Sequence, residues 1–182
     1  MLTEIIFSGF GGQGILFAGK ALAYSAMTAS KELSWLPSYG PEMRGGTANC
    51  SVCISDDPIG SPLVTEPDIL AVMNNPSFDR FEKCVKKNGV LFADSSIVER
   101  RSERNDIESH YIPATELAVK NNLNGMANII LLGKIITDCS DKLFGINAEE
   151  IEKAFSKIVP PKKSALIEKN IAALEIGMNY KE

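Results

Sequence analysis

The sequence predicts a three-layer α/β fold, with helices on both faces of a doubly wound, mostly parallel β-sheet that carries an inserted β-hairpin. Strand-like and helix-like segments alternate along the 182 residues, as they do in parallel sheets. The opening strand runs directly into a glycine-rich turn and a helix. One later segment alternates polar and apolar residues, as a half-buried hairpin strand does. The length suits one domain, residues 1–182.

The first half of the chain supplies the opening βα unit and the hairpin. Residues 3–9 (TEIIFSG) form an apolar, β-branched strand, and residues 14–27 (GILFAGKALAYSAM) form a helix whose small residues allow close packing. Residues 33–38 (LSWLPS) are predicted as the second strand. Residues 47–55 (TANCSVCIS) show the polar–apolar alternation, and residues 59–64 (IGSPLV) are the expected hairpin partner.

The second half resumes the α/β rhythm. Buried or short strands are predicted at residues 68–74, 90–96 and 110–114. A helix is predicted over residues 75–89, because this segment begins with polar residues and an early proline and ends at Gly89. Further helices are predicted at residues 115–122, 126–138, 148–159 and 165–178. Asn147 and Glu150 give the third of these an N-x-x-E capping box.

Charge and composition exclude several functional classes. A net charge of −4 and a pI of about 5.2 lack the basic footprint of a nucleic-acid-binding protein. Lysines interrupt the apolar stretches, so no membrane span is expected, and the acidic N-terminus does not resemble a signal peptide. The four cysteines show no disulfide framework. We therefore expect a cytoplasmic protein.

The glycine-rich turn carries half of a dinucleotide-binding motif. Gly9, Gly11 and Gly14 stand at G-x-G-x-x-G spacing after the first strand. The acidic residue that binds a ribose hydroxyl at the end of the second strand is missing, because Glu32 falls at that strand's beginning. Two interpretations remain open. The turn either presents helix N–H groups to an anion or only permits tight strand–helix packing.

A nucleotide triphosphatase loop is excluded by one residue. Gly14, Gly19 and Lys20 have the required spacing, but Ala21 replaces the hydroxyl residue that would bind Mg²⁺. The intervening residues are apolar and helical rather than loop-forming.

No catalytic or metal-binding residues are predicted. Cys50 and Cys53 form a C-x-x-C, but residues three apart on a strand point to opposite faces and do not easily chelate one ion. His110 has no nucleophile at a recognisable spacing, so we interpret it as an ordinary strand-edge histidine.

The loop that follows the second strand is the other candidate site. It lies at a strand's carboxyl end, where open α/β sheets bind ligands or partners, and it is rich in residue types common at interfaces. We predict that the loop lines a subunit interface or a cofactor crevice through Tyr39, Glu42, Met43, Arg44, Gly45 and Gly46.

Several segments, in order and spacing, resemble one family. They are GFGGQGI, WLPSYGPEMRGGTANC, IGSP, VMNNPSFDRF, GVLFADSS and NIILLGKI. The chain resembles the gamma subunit of the 2-oxoacid:ferredoxin oxidoreductases over nearly its whole length.

The resemblance implies a Rossmann-like domain in a multi-subunit enzyme that decarboxylates a 2-oxoacid oxidatively, forms an acyl-coenzyme A and reduces ferredoxin. It implies that thiamine diphosphate, Mg²⁺ and iron–sulfur clusters lie on partner chains, that ferredoxin is reached through them, and that this chain is inactive alone. Gly11, Gly12, Gln13 and Gly14 match the family's glycine turn, near the coenzyme A region. Tyr39, Gly40, Glu42, Arg44, Gly45 and Gly46 match its second loop.

The sequence of the second loop (SYGPEMRGG) looks most like that of gamma subunits of the 2-oxoglutarate enzymes, and gamma subunits of the branched-chain 2-oxoacid (2-oxoisovalerate) enzymes are the next most similar. Two other classes remain as alternatives. One is a stand-alone dinucleotide-binding regulator or dehydrogenase, and the other is a structural interaction protein without a ligand of its own.

Overall fold

The computed structural model describes residues 1–40 and 47–181, and in this part of the chain six strands form one sheet. The strands are β1 (Leu2–Phe10), β2 (Glu32–Tyr39), β3 (Thr47–Ser55), β4 (Ile69–Val72), β5 (Val90–Asp94) and β6 (Glu108–Ile112). Their order across the sheet is β2-β3-β1-β4-β5-β6.

The described helices fall between or after the strands. They are α1 (Ile15–Thr28), α2 (Asn75–Phe81), α3 (Ala114–Lys120), α4 (Ala127–Asp138), α5 (Ala148–Ile158) and α6 (Ala165–Asn179). Short 3-10 turns cover Glu82–Cys84 and Pro161–Lys163. The predicted capping box is present at α5. Oδ1 of Asn147 accepts a hydrogen bond from the backbone N–H of Glu149, and Oε2 of Glu150 accepts one from the backbone N–H of Asn147.

The sheet is mostly parallel, as predicted. β1, β4, β5 and β6 are parallel neighbours, whereas β3 runs antiparallel between β1 and β2. The inserted hairpin is therefore β2–β3, and the predicted partner at residues 59–64 is wrong. β3 has no free edge for a third strand, because β2 and β1 pair with it along nearly its whole length.

Two hydrophobic layers lie on opposite faces of this sheet. Alternate residues of the central strands, such as Phe92 and Leu91 of β5, enter different clusters. Helices α1, α3, α4, α5 and α6 pack on one face, and α2 packs on the other. The chain is thus wound to both sides of β1, which is the doubly wound arrangement.

The helix predicted over residues 75–89 is shorter than expected. It ends at Phe81 and passes through the 3-10 turn into Val85, which is extended and buried in the α2-side layer. The backbone N–H of Lys86 then donates to the carbonyl of Pro67. This tertiary contact replaces helix continuation.

Candidate functional site

The glycine turn leads from the end of β1 into α1 without a side-chain cap. Gly12 has a φ of +100° and Gly14 a φ of +74°, conformations that L side chains rarely adopt. Gly14 is the N-cap residue, and its carbonyl accepts the first helical hydrogen bonds from Phe17 and Ala18 at 3.0 Å. The N–H groups ahead of these have no partner within the helix, which makes this end of α1 favourable for an anion.

Gln13 anchors the turn to the sheet through its side-chain amide. Its Oε1 accepts from the backbone N–H of Phe10 at 2.6 Å, and its Nε2 donates to the carbonyl of Met73 at 2.9 Å. Phe10 ends β1, and Met73 directly follows the neighbouring strand β4. The side chain of Gln13 therefore holds the ends of two parallel strands in register with the turn.

Asn128, near the start of α4, fixes the other side of the turn. Its Nδ2 donates to the Gly14 carbonyl at 2.9 Å, and a Cβ added to Gly14 would lie 2.6 Å from the same nitrogen. Asn128 is only 4% exposed, and its Oδ1 is buried without a hydrogen-bond partner. Glycine at position 14 is thus required both by the backbone and by this contact.

The turn lies at the switch point of the fold. β1 is followed by α1 on one face, and its neighbour β4 is followed by α2 on the other face. In open α/β sheets a crevice forms at the carboxyl ends of two such strands, and ligands bind there. The topology therefore places the glycine turn where a ligand site is expected.

A pocket of about 310 Å³ joins the turn to the end of the hairpin. Its described lining is Phe10, Gly11, Gly12, Gly14, Ile15, Leu16, Phe17, Tyr39, Thr47 and Ala48. Tyr39, which is 55% exposed at the end of β2, therefore shares a pocket with the turn. Glu42, Met43, Arg44, Gly45 and Gly46 lie outside the described residues.

The hairpin also changes which strand lies beside β1. In a dinucleotide-binding fold that neighbour is the second strand, whose carboxyl end carries the acidic residue for the ribose hydroxyl. β3 occupies the place beside β1, and the carboxyl end of β2 is one strand further away. Glu32 pairs with Ser55, which on its other side pairs with Leu2 at the beginning of β1. The Glu32 carboxylate therefore lies at the sheet edge opposite the glycine turn.

Cys50, Cys53 and His110 pack against other side chains of the fold. Cys50 and Cys53 lie in the two different hydrophobic layers, as the strand spacing predicts, and burial raises the pKa of the Cys50 thiol to about 12. His110 stacks on Phe92 with ring centroids 4.9 Å apart, and its Nε2 lies 3.0 Å from Oε1 of Glu108. Over residues 1–40 and 47–181, no three or more His, Cys, Asp and Glu side chains are grouped to hold a metal ion.

Two polar residues at this edge were not predicted from the sequence. Asn128 could have been singled out in the sequence, because it is a polar residue in the otherwise apolar first turns of α4. Asp94, fully buried at the end of β5, accepts hydrogen bonds from the backbone N–H groups of Ser96 and Thr115. The Asp94 carboxylate thus stabilises the loop after β5 and the start of α3.

None of the described helices is both long and apolar enough to cross a membrane.

Comparisons with known proteins agree over nearly the full chain. The family model for pyruvate ferredoxin/flavodoxin oxidoreductase matches residues 4–180. Subunit KorC of 2-oxoglutarate synthase from Methanocaldococcus jannaschii is 37% identical over 182 residues, covering 97% of this chain and 92% of that protein. Subunit VorA of ketoisovalerate oxidoreductase from Methanothermobacter thermautotrophicus is 36% identical over 178 residues, covering 98% of this chain. This chain spans only 36% of the length of VorA.

A solved structure shows the same fold. The gamma subunit of a keto/oxoacid ferredoxin oxidoreductase from Geobacter sulfurreducens superposes with a TM-score of 0.82 at 31% identity. The match covers 97% of this chain and 94% of that one.

Proposed function

Because the chain belongs to the pyruvate ferredoxin/flavodoxin oxidoreductase family, we propose that it is the gamma subunit of a cytoplasmic 2-oxoacid:ferredoxin oxidoreductase. The complex converts a 2-oxoacid and coenzyme A to an acyl-coenzyme A and CO₂, and two electrons pass to ferredoxin. The observation that carries this proposal is the coverage of more than nine-tenths of both chains in the match to the Geobacter gamma subunit. We propose that residues 1–182 act as one domain.

The chemistry of the described site supports a binding role rather than a reacting one. No carboxylate, imidazole or thiol contributes to the described lining of the pocket between the turn and Tyr39. We place thiamine diphosphate, Mg²⁺ and the iron–sulfur clusters on partner subunits, which also contact ferredoxin. This chain assists assembly and offers a surface for the co-substrate.

The glycine turn is the proposed contact for a coenzyme A phosphate. The N-terminus of α1 carries partial positive charge and unpaired N–H groups, and Gly11, Gly12 and Gly14 let an anion approach the backbone closely. Gln13 contributes by holding the turn against β1 and β4. Tyr39 and the loop that follows it, through Gly46, are the proposed contact with a partner subunit or with the crevice.

The substrate is proposed as 2-oxoglutarate, with 2-oxoisovalerate as the second candidate. The sequence of the second loop (SYGPEMRGG) favours 2-oxoglutarate. The KorC and VorA relatives match this chain at 37% and 36% identity, respectively. Turnover of the two 2-oxoacids by the assembled complex distinguishes between them.

Purification of the native complex tests the proposal. The chain is tagged in its source organism and isolated under anaerobic conditions, and the co-purifying proteins are identified by mass spectrometry. We expect thiamine diphosphate-binding and ferredoxin-like chains, and coenzyme A-dependent ferredoxin reduction that is fastest with 2-oxoglutarate. Isolation of the chain with no such partners contradicts the proposal, and faster turnover of 2-oxoisovalerate reassigns only the substrate.

A further inference from the structure

Two asparagine–glycine pairs occur in the sequence, Asn88–Gly89 and Asn124–Gly125. An asparagine followed by glycine is open to spontaneous loss of ammonia, because glycine has no side chain to hinder attack of its backbone nitrogen on the preceding side-chain amide. The attack needs a backbone N–H that is free of hydrogen bonds and a backbone that can bend toward the side chain. The fold gives the two pairs different surroundings in both respects.

The first pair is held by the structure around it. Gly89 is buried, and its N–H donates to the Lys86 carbonyl at 2.9 Å. The N–H of Asn88 donates to the Asp106 carbonyl at 2.7 Å, and a Cβ added to Gly89 would lie 2.8 Å from the Lys86 carbonyl oxygen. Moving the Gly89 nitrogen onto the Asn88 side chain would break a buried hydrogen bond and disturb the start of β5. The fold therefore protects this pair.

The second pair is open to solvent. Asn124 and Gly125 are both exposed in the turn between α3 and α4. Among the described residues, neither the Gly125 N–H nor the Asn124 side chain has a hydrogen-bond partner. A Cβ added to Gly125 would meet nothing within 4 Å. One hydrogen bond closes the turn, from the N–H of Met126 to the carbonyl of Leu123 at 3.0 Å. The turn can therefore bend at low cost while both helices stay in place.

We propose that Asn124 is a modification site, at which the side-chain amide converts to a carboxylate through a cyclic succinimide. The Gly125 nitrogen bonds to Cγ of Asn124, the Cγ–Nδ2 bond breaks, and ammonia leaves with the proton of the Gly125 N–H. Water then opens the ring at one of its two carbonyls. Opening at Cγ gives aspartate, and opening at the backbone carbonyl gives isoaspartate, whose backbone is one carbon longer. Water is the only co-reactant.

The modification changes the segment beside the glycine turn. Gly125 lines a pocket of about 230 Å³ that also includes Gly12 and Gln13. Either product adds a negative charge at this place. Isoaspartate also lengthens the connection just ahead of α4, the helix whose Asn128 donates to the Gly14 carbonyl. Modified and unmodified chains thus differ in charge, and for isoaspartate in backbone length, next to the turn.

Incubation of the full chain at mildly alkaline pH, followed by tryptic peptide mapping, tests the modification. Cleavage after lysine and arginine separates the two pairs into the peptides 88–100 and 121–134. Electron-transfer fragmentation locates the converted residue and distinguishes isoaspartate from aspartate. We expect conversion at Asn124 to be at least about tenfold faster than at Asn88, because the Gly89 N–H must first leave its buried hydrogen bond.

Two controls separate the effect of the fold from that of the local sequence. In urea the hydrogen bond of Gly89 is lost, so the two pairs should convert at similar rates. Asn124→Gln should stop conversion in the peptide 121–134, since the longer side chain closes a larger ring much more slowly, while conversion at Asn88 stays unchanged. Circular dichroism confirms that this variant is folded, as expected for an exposed turn residue.

Three results would overturn the inference. They are equal rates at the two pairs in the folded chain, faster conversion at Asn88 than at Asn124, and formation of aspartate without isoaspartate. The last result would mean direct hydrolysis of the amide, which does not pass through the ring. These measurements need no partner subunit, so their outcome is independent of the purification experiment that tests the proposed function.

Discussion

Asn128 and Gly14 are 114 residues apart in sequence, yet the Asn128 amide donates a 2.9 Å hydrogen bond to the Gly14 carbonyl. The same carbonyl accepts the first two hydrogen bonds of α1. Two helix starts, those of α1 and α4, are thereby fixed to each other around the glycine turn. The turn's shape thus depends on tertiary contacts as well as on its glycines.

The first prediction compares two glycines of this turn. Gly14→Ala should lower the free energy of unfolding by about 2 kcal/mol or more, because it adds left-handed backbone strain to a clash with Asn128. Gly12→Ala is the matched control, since Gly12 also has a positive φ but its added Cβ meets nothing within 4 Å. Urea unfolding measures both. Equal losses would show that the contact with Asn128 contributes nothing.

The second prediction concerns the crossing of α4 and α6. A Cβ added to Gly177 would collide with the carbonyl of Ile130, so Gly177→Ala should destabilise the fold by about 3 kcal/mol or more. Helix propensity alone would favour alanine by about 1 kcal/mol, which gives the opposite sign. Gly60→Ala is the control, because Gly60 is exposed with open space around it and should change stability by less than about 1 kcal/mol. Similar thermal midpoints for the two variants would contradict the close packing.

The sequence predicted most elements because their signals are local. A segment that is apolar on nearly all sides identified α4, the alternation of polar and apolar residues identified β3, and the capping box of Asn147 identified the start of α5. The hairpin partner was wrong because strand pairing is decided across the sheet, and β1 and β2 already occupy both edges of β3. The local pattern at residues 59–64 carries no information about that competition.

The candidate site was predicted only in part, for a similar reason. The glycine spacing located the turn, and the shared sheet edge placed Tyr39 near it. The contacts of Gln13 with Met73 and of Asn128 with Gly14 join residues 60 and 114 positions apart. Such contacts follow from the assembled fold, and no local motif announces them.

The third prediction concerns the thiols. Cys50, Cys53 and Cys139 are buried, and burial raises the pKa of Cys50 and of Cys139 to about 12, so little reactive thiolate forms at pH 8. Cys84 alone is partly exposed. We expect one thiol to react rapidly with Ellman's reagent in the folded chain and four after denaturation. Cys84→Ser should remove the rapid reaction, and a second rapid thiol in that variant would show that a buried layer opens.

The fourth prediction tests the glycine turn as an anion site. In the assembled enzyme, Gly12→Asp should raise the Michaelis constant for coenzyme A, because a carboxylate beside the α1 N-terminus competes with a phosphate. A helix N-terminus stabilises an anion by about 0.3–1 kcal/mol when exposed and up to about 2 when partly buried, so the increase should be about two- to thirtyfold. Gly12→Ala is the control for backbone strain without charge. An unchanged constant in an assembled Gly12→Asp complex would remove the turn from the coenzyme site.

The last prediction concerns Arg44, in the loop that leaves β2 after Tyr39. Tyr39 shares a pocket with the glycine turn, so the loop begins at the edge where the ligand or partner is proposed to bind. A guanidinium next to Met43 and two glycines is suited to a partner carboxylate or phosphate.

Arg44→Ala should leave the unfolding of the isolated chain unchanged but impair assembly or coenzyme A turnover. If Arg44 is buried on assembly, the unpaired partner charge costs several kcal/mol, whereas a rim position costs less than about 1 kcal/mol. Arg80→Ala, an exposed arginine on α2, is the control for loss of charge. An Arg44→Ala chain that assembles and turns over like the wild type would place Arg44 on an ordinary solvated loop.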